Sequence, residues 1–299
     1  MHIPVLLKEV VRELAPHSGE FFIDGTVGEG GHAAAIYERI WPNGIFLGLD
    51  LDESRLATAE RNIRRSLAGK INGENRLTVK KANYAEVKKI IQEEELPAAD
   101  GILLDLGFSS FHVDESGRGF SFRKDEPLMM TYDEEERPLF ALLPELSERE
   151  LADIIYAYGG ERRARQVARA IKEAEKRERI MTSGQLARIV QEALPRDYER
   201  GRIDPATRTF QGLRIYANQE LNNLENFLED LPQIMERGGR AAIISFHSLE
   251  DEMIKKKFKE LEKEGRAEIK TSRPIETTAE EEADNPRARA AKMRVIKFL

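Results

Sequence analysis

Residues 21–32 read Phe21-Phe22-Ile23-Asp24-Gly25-Thr26-Val27-Gly28-Glu29-Gly30-Gly31-His32. A short apolar run ends in the carboxylate of Asp24. A loop carrying Gly25, Gly28, Gly30 and Gly31 follows, and a helical pattern starts at His32 and continues Ala33-Ala34-Ala35-Ile36. The order is strand, glycine-rich turn, helix. Glycine accepts positive φ and lets a ligand approach bare backbone. The N-terminus of a helix presents N–H groups that favour carboxylate or phosphate. The stretch therefore predicts a nucleotide-like ligand at the first turn of an α/β fold.

The same rhythm continues outward. Strand-like segments recur at 45–50, 76–81 and 101–106, with helical patterns at 31–41, 53–68 and 84–95. Such alternation predicts a parallel sheet covered on both faces. The rhythm stops at 107–140, which is rich in Gly, Ser, Asp and Pro. Residues 147–194 read as helices split at Gly159-Gly160 and Ser183-Gly184, and 195–210 read as loop. A long helix at about 214–236, a Gly238-Gly239 cap and a strand at 241–246 resume the α/β pattern. A helix at 249–263 and strands at about 266–272 and 293–298 finish it. The run Glu280-Glu281-Glu282-Ala283-Asp284 reads as a loop. The expected organisation is an α/β core built from residues 1–107 and 207–299, interrupted at 108–206 by an inserted, mostly helical substrate-recognition domain.

Composition sets limits. The 299 residues carry no cysteine, which excludes disulfides and thiolate chemistry and fits a reducing cytoplasm. No apolar run approaches the ~18 residues that span a bilayer, and Met1-His2-Ile3-Pro4 lacks a signal-peptide layout; no membrane partner is expected. A net charge of −7 argues against indiscriminate coating of nucleic acid. The charge is uneven, however. Residues 161–214 hold 14 Lys/Arg against 8 Asp/Glu, and 285–297 hold only basic charge. These two regions can serve a structured polyanion or can be solvated faces.

The glycine order differs from the G-x-G-x-x-G of dinucleotide dehydrogenases, and the loop ends Gly-Gly-His, not Gly-Lys-Ser/Thr. The acid at Asp24 repels a pyrophosphate but suits the amino and sulfonium groups of S-adenosylmethionine. Asp50 ends the next strand, where a carboxylate accepts hydrogen bonds from ribose hydroxyls. Asn83 or Tyr84, after the third strand, is placed to meet the adenine. Asp105 ends the fourth strand and is the candidate catalytic group. Each acid alone reads better as a cap or turn former. Asp24, Asp50, Asn83 and Asp105 at four successive strand ends together are what make a site.

The residues also resemble a family. His2-x-Pro4-Val5-Leu6-Leu7, Asp24-Gly25-Thr26-x-Gly28-x-Gly30-Gly31-His32, Ile102-Leu103-Leu104-Asp105-Leu106-Gly107 and Arg118-Gly119-Phe120-Ser121-Phe122 carry the first half. Tyr158-Gly159-x-Glu161-Arg162, Pro205-Ala206-Thr207-Arg208-Thr209-Phe210-Gln211, Ile244-Ser245-Phe246-His247-Ser248-Leu249-Glu250-Asp251 and Asn285-Pro286-Arg287-Ala288-Arg289 carry the second. Together they resemble the bacterial small-subunit (16S) ribosomal RNA cytosine-N4 methyltransferases (RsmH/MraW type), nearly end to end.

The resemblance implies a Rossmann-like class I S-adenosylmethionine-dependent methyltransferase sheet with an inserted helical domain. It implies S-adenosylmethionine as donor, no metal, and the N4 amine of one decoding-region cytidine as acceptor, in RNA or in the ribosomal particle. Donor contacts carry over to Gly30, Gly31, His32, Asp50, Tyr84 and Asp105, with Asp24 and Gly28 in the same loop. Two stretches depart from the family. Phe111-His112-Val113-Asp114 replaces Pro-Gln-Leu-Asp, putting His112 where a donor-contacting glutamine stands. Pro127-Leu128-Met129-Met130-Thr131-Tyr132 replaces Pro-Leu-Asp-Met-Arg-Met. His247 follows a sheet strand and can touch the base, accept the released proton, or simply shape its turn. A splayed base needs stacking partners; Phe108, Phe111, Phe120 and Phe122 are candidates or are packing. Arg162, Arg163, Arg165, Arg208, Arg214, Arg287 and Arg289 are candidate phosphate contacts. Oligomeric state, including a homodimer, is left open. Other acceptors on the same fold (DNA or protein), and a catalytically silent assembly factor, stand as alternatives.

Overall fold

A computed structural model describes residues 4–68, 70, 75–107, 116–195, 198 and 204–299. In chain order it gives α1 (Leu7–Leu14), β1 (Phe21–Asp24), α2 (Gly31–Arg39), β2 (Ile45–Asp50), α3 (Glu53–Arg65), β3 (Arg76–Lys81), a 3-10 turn (Tyr84–Glu86), α4 (Val87–Glu93) and β4 (Ala99–Asp105). Helices α5 (Leu139–Leu142), α6 (Glu148–Gly159), α7 (Ala164–Arg177), α8 (Ser183–Ala193) and α9 (Ala206–Ala217) follow. The chain ends with α10 (Glu220–Ile234), β5 (Met235–Ser245), α11 (Ser248–Lys263), β6 (Ala267–Ile269), β7 (Ile275–Glu276), α12 (Ala279–Asp284), a 3-10 helix (Pro286–Ala290) and β8 (Lys292–Phe298).

Two compact units result: Met1–Gly107 with Leu221–Leu299, and Phe108–Glu220. In the first, the strand order is β3-β2-β1-β4-β5-β8-β6, with β7 also on β8. β3 through β5 run parallel and β8 runs antiparallel to β5. This is a Rossmann-like sheet. Successive residues of a strand face opposite sides, and the two apolar layers follow that alternation. Phe21, Ile23, Leu47, Leu49, Ile102 and Leu104 join α4, α10 and α11. Phe22, Phe46 and Leu103 join α1, α2 and α3. All four residues of β1 are buried, as a strand covered on both faces requires. Among the described residues, no helix is long and apolar enough to cross a membrane.

The second unit is helical around Leu128, Leu139, Leu151, Ile155, Val167, Leu186, Phe210 and Leu213. Here the sequence reading needs correcting. Residues 207–217 belong to this unit, because α9 buries Ala206, Phe210 and Leu213 in its core. The α6–α9 approach is close: a Cβ on Gly159 would stand 2.2 Å from the Arg208 carbonyl oxygen. The single helix expected at 214–236 is two helices. Gln219 takes φ 50, and the Asn218 side chain donates to the Met130 and Arg214 carbonyls while accepting the Tyr132 N–H. These bonds stop α9 at that point. The acidic run expected as a loop is also helical. Thr278 caps α12 by accepting from Glu281 N–H, and Glu280, Glu281 and Glu282 sit at the positive end of its dipole.

Candidate active site

The carboxyl ends of β1, β2 and β4 bring Asp24, Asp50 and Asp105 to one edge of the sheet, because the three strands are parallel and adjacent. Backbone donors of the glycine loop hold two of them. Asp50 Oδ2 accepts Gly28 N–H at 2.8 Å, and its Oδ1 accepts Asp52 N–H at 2.9 Å. Asp24 Oδ1 accepts Thr26 N–H at 3.1 Å. The loop closes on itself where Gly30 N–H meets the Val27 carbonyl at 2.7 Å. Gly30 then caps α2 at φ 83, and a Cβ there would press 2.9 Å from the Ala59 carbonyl oxygen; only glycine fits.

Asp105 is held differently. Its backbone N–H donates to Thr26 Oγ1 at 2.7 Å, which ties the β4 end to the glycine loop. The side chain is 23% exposed, yet Oδ1 is sealed from solvent and has no hydrogen-bond partner. Burial pushes the carboxyl up to about 8, with like charges at Asp24 and Glu250 adding to the rise. Burial likewise pushes Asp24 up to about 7, partly opposed by its bond from Thr26 and reinforced by Asp50. Carboxyls raised this far in a cleft mark sites that handle charge or protons.

His32 is buried on α2. Its Nε2 lies 2.8 Å from the Val5 carbonyl oxygen, and its Nδ1 faces Asp105 Oδ2 at 3.8 Å. With Nε2 assigned as the donor, Nδ1 turns an acceptor toward Asp105. Tyr84 packs its ring edge-on against Phe227 at 5.9 Å. Asn83 caps the 3-10 turn by accepting Ala85 N–H at 2.9 Å through its Oδ1.

His247 is the N-cap of α11. Its Nδ1 accepts Glu250 N–H, and Glu250 Oε2 accepts Phe246 and His247 N–H at 2.9 and 3.3 Å, a reciprocal capping box. Its Nε2 lies 3.2 Å from Glu250 Oε1, out of line for a hydrogen bond. Both side chains are below 10% exposed. The geometry gives His247 the turn-shaping role. If capping is that role, His247→Ser, which keeps an N-cap acceptor, is expected to retain fold and methyl transfer, whereas His247→Ala loses about 0.5–2 kcal/mol of stability. Thermal melts and transfer assays on the pair check this, and an inactive but stable His247→Ser would restore a chemical role.

Two contributors escaped sequence reading. Thr26 bridges loop and β4. Glu250 brings a buried acid close enough to raise Asp105. The signal for Glu250 was present as an acid three residues after a helix cap, but histidine is an uncommon cap residue.

Among the RNA candidates, Arg214 is corrected. It is buried and its Nε and Nη2 donate to Glu220 at 2.8 and 2.9 Å, so it is structural. Arg162, Arg165 and Arg289 are exposed, Arg163 lies over the Tyr198 ring, and Arg208 is half-buried. Phe120 stacks on Tyr132 at 5.3 Å and Phe122 packs edge-on to Phe210 at 5.0 Å; both rings are packing. The altered Met129–Tyr132 stretch is likewise internal to the second unit, with Tyr132 OH donating to Glu220 at 3.0 Å. Phe108, Phe111, His112 and the Arg287 side chain lie outside the described residues.

Comparison with known proteins adds the lineage. The family model described as the MraW methylase family matches residues 1–299. The chain is 43% identical to Ribosomal RNA small subunit methyltransferase H of Syntrophus aciditrophicus, covering 98% of this chain and 96% of that one. It is 40% identical to the proteins of the same name from Desulfosudis oleivorans (98% and 97% covered) and Syntrophotalea carbinolica (100% and 98%). With the Rossmann-like sheet and the carboxylates at its edge, this whole-length match places the chain in the MraW methylase family.

Proposed function

We propose that the protein transfers a methyl group from S-adenosylmethionine to the exocyclic N4 amine of a cytidine in the decoding region of small-subunit ribosomal RNA. Family membership and relatives named for small-subunit ribosomal RNA support the coarser statement, a methyltransferase of that RNA. The observation that carries the finer one is Asp105, a partly exposed carboxyl at the end of β4 that its surroundings push up to about 8.

The residues fit the donor. Asp24 and Asp105 form an electron-rich wall that suits a cation, and the Asp105 carboxyl is 23% exposed, so a ligand can reach it. S-adenosylmethionine, when bound, supplies an electrophilic methyl on a positively charged sulfur. Gly28, Gly30, Gly31 and His32 shape the loop that would hold its amino-acid end. Asp50 would take the ribose hydroxyls and Tyr84 the adenine face. The amine lone pair of cytosine is delocalised into its ring. Asp105 accepts a hydrogen bond from the amine, returns electron density to nitrogen, and aligns it for in-line attack. Glu250 keeps Asp105 basic through its charge, and His247 holds Glu250. The second unit is the RNA-recognition module, with Arg162, Arg163, Arg165 and Arg208 as phosphate contacts and Arg289 serving from the first unit.

Labelled donor incubated with small-subunit particles lacking the modification tests this, followed by nucleoside analysis. N4-methylcytidine is expected. Label in another nucleoside or in protein overturns the acceptor; absence of donor binding overturns the enzyme.

A further inference from the structure

The first unit carries a second concavity, of about 410 Å³, that the donor site does not use. Lys255, Lys259 and Glu262 of α11 form one wall. Thr271 and Ser272, in the turn after β6, and Arg294 of β8 form the other. Phe258, only 1% exposed, lies beneath. We propose that this groove grips a phosphate group of the substrate RNA strand, away from the methyl-transfer site; the proposal rests on RNA being the substrate.

The charges decide the ligand's sign. Lys255 and Lys259 are one helical turn apart, on the same face of α11. Both are exposed, and among the described residues neither has an ion-pair partner. Other cations nearby are committed. Arg294 is 8% exposed and holds Asp251 through two bonds of 2.6 and 3.0 Å, and Lys257 pairs with Glu229 at 2.7 Å. The groove also holds one acid, Glu262, which accepts Ile269 N–H at 3.0 Å and keeps its negative charge. Two lysines against one carboxylate leave the groove locally positive on a chain of net charge −7, and this excess attracts an anion.

The remaining groups suit a phosphate. Thr271 Oγ1 accepts Val295 N–H at 3.0 Å, which leaves its hydroxyl proton to donate elsewhere. Ser272 is exposed beside it. Hydroxyls and ammonium groups are among the side chains that position nucleic-acid backbones. A sealed apolar floor keeps water out from below and strengthens the attraction. The lining residues expose no ring to stack a base, so the groove reads backbone and not sequence.

The distance also suits a strand. In the order β4-β5-β8-β6, β6 lies three spacings from the strand that ends in Asp105. At ~4.8 Å per spacing this is about 14 Å. A nucleotide in the catalytic pocket and a phosphate in the groove would belong to different residues of one RNA.

The test is binding of a small-subunit ribosomal RNA fragment to the full chain between about 50 and 200 mM salt. Lys255→Gln/Lys259→Gln is expected to flatten the slope of log affinity against log salt by about 0.7 for each lysine lost, and to weaken all RNA sequences alike. Lys255→Arg/Lys259→Arg is expected to keep the slope. Lys89→Gln, an exposed lysine on α4, serves as the control and should leave it intact. Donor affinity, measured in parallel, reports that each variant is folded. A double-glutamine variant that binds donor and keeps the wild-type slope overturns the groove, as does an equal flattening by Lys89→Gln. Methyl transfer by the wild type is scored separately. A wild type that transfers nothing but shows the lysine-dependent slope defeats the functional reading and leaves the groove standing.

Discussion

Asp105→Ala is expected to cut methyl transfer by about 10²–10⁴-fold, the range for loss of a positioned proton acceptor, while leaving the folded protein at least as stable near pH 8. The two halves have one cause. The carboxyl is pushed up to about 8 because burial and the charges of Asp24 and Glu250 oppose its ionisation. Such a group works against folding whenever it is charged. Removing it relieves that repulsion and also removes the oxygen that would accept from the amine. Asp105→Asn keeps the shape but lacks the negative charge, so it should be nearly as inactive. Single-turnover transfer and urea unfolding on the same samples check both halves. A variant that transfers at the wild-type rate, or one that loses activity only because it unfolds, removes Asp105 from the chemistry.

Donor binding is expected to strengthen as pH rises from about 6 to 9 and to release protons. Below their raised values, about 7 for Asp24 and about 8 for Asp105, the two carboxyls are largely neutral in the free protein. A cationic ligand prefers them ionised. The apparent dissociation constant scales with the inverse of the ionised fraction, so the change over this window is about 10- to 10³-fold, reported for the coupled pair and not for either acid. The free protein should show the opposite trend. The folded state holds protons that the unfolded chain gives up near 3.8, so stability falls progressively from about pH 4, and the loss is complete once pH has risen through 7 to 8. S-adenosylhomocysteine has the same amino-acid end without the sulfonium charge, and its affinity should climb less. Calorimetry in buffers of different ionisation enthalpy counts the protons. Equal pH slopes for the two ligands would falsify the charge argument.

Much of this site was legible because local patterns and topology agree. Strand, glycine turn and helix recur from residue 21 to 105, and parallel pairing then forces Asp24, Asp50 and Asp105 to one edge. Period and turn chemistry suffice for that. What escaped depends on partners distant in sequence. Asn218 looks like an ordinary helical residue until Met130 and Tyr132 arrive to bond it. Arg214 looks like a surface cation until Glu220 folds back onto it. The acidic run at 280–284 reads as a loop, but Glu281 accepts Leu6 N–H across 275 residues, and the dipole of α12 favours the rest. Glu250 was read within a motif, and its effect on Asp105 emerges only when β4 and β5 lie side by side.

The position of β8 has a consequence for biosynthesis. It lies between β5 and β6, bonded to both, so the sheet remains split until residues 292–298 have left the ribosome. The helical second unit is a continuous stretch, complete by Glu220. Domains emerging from the ribosome fold as units, earliest first. The insertion can therefore mature while β1 through β4 still await their partners. During that interval the apolar edge of β4 is uncovered. The nascent chain is most vulnerable to mispairing or chaperone capture between synthesis of residue 105 and synthesis of β5, which pairs with β4.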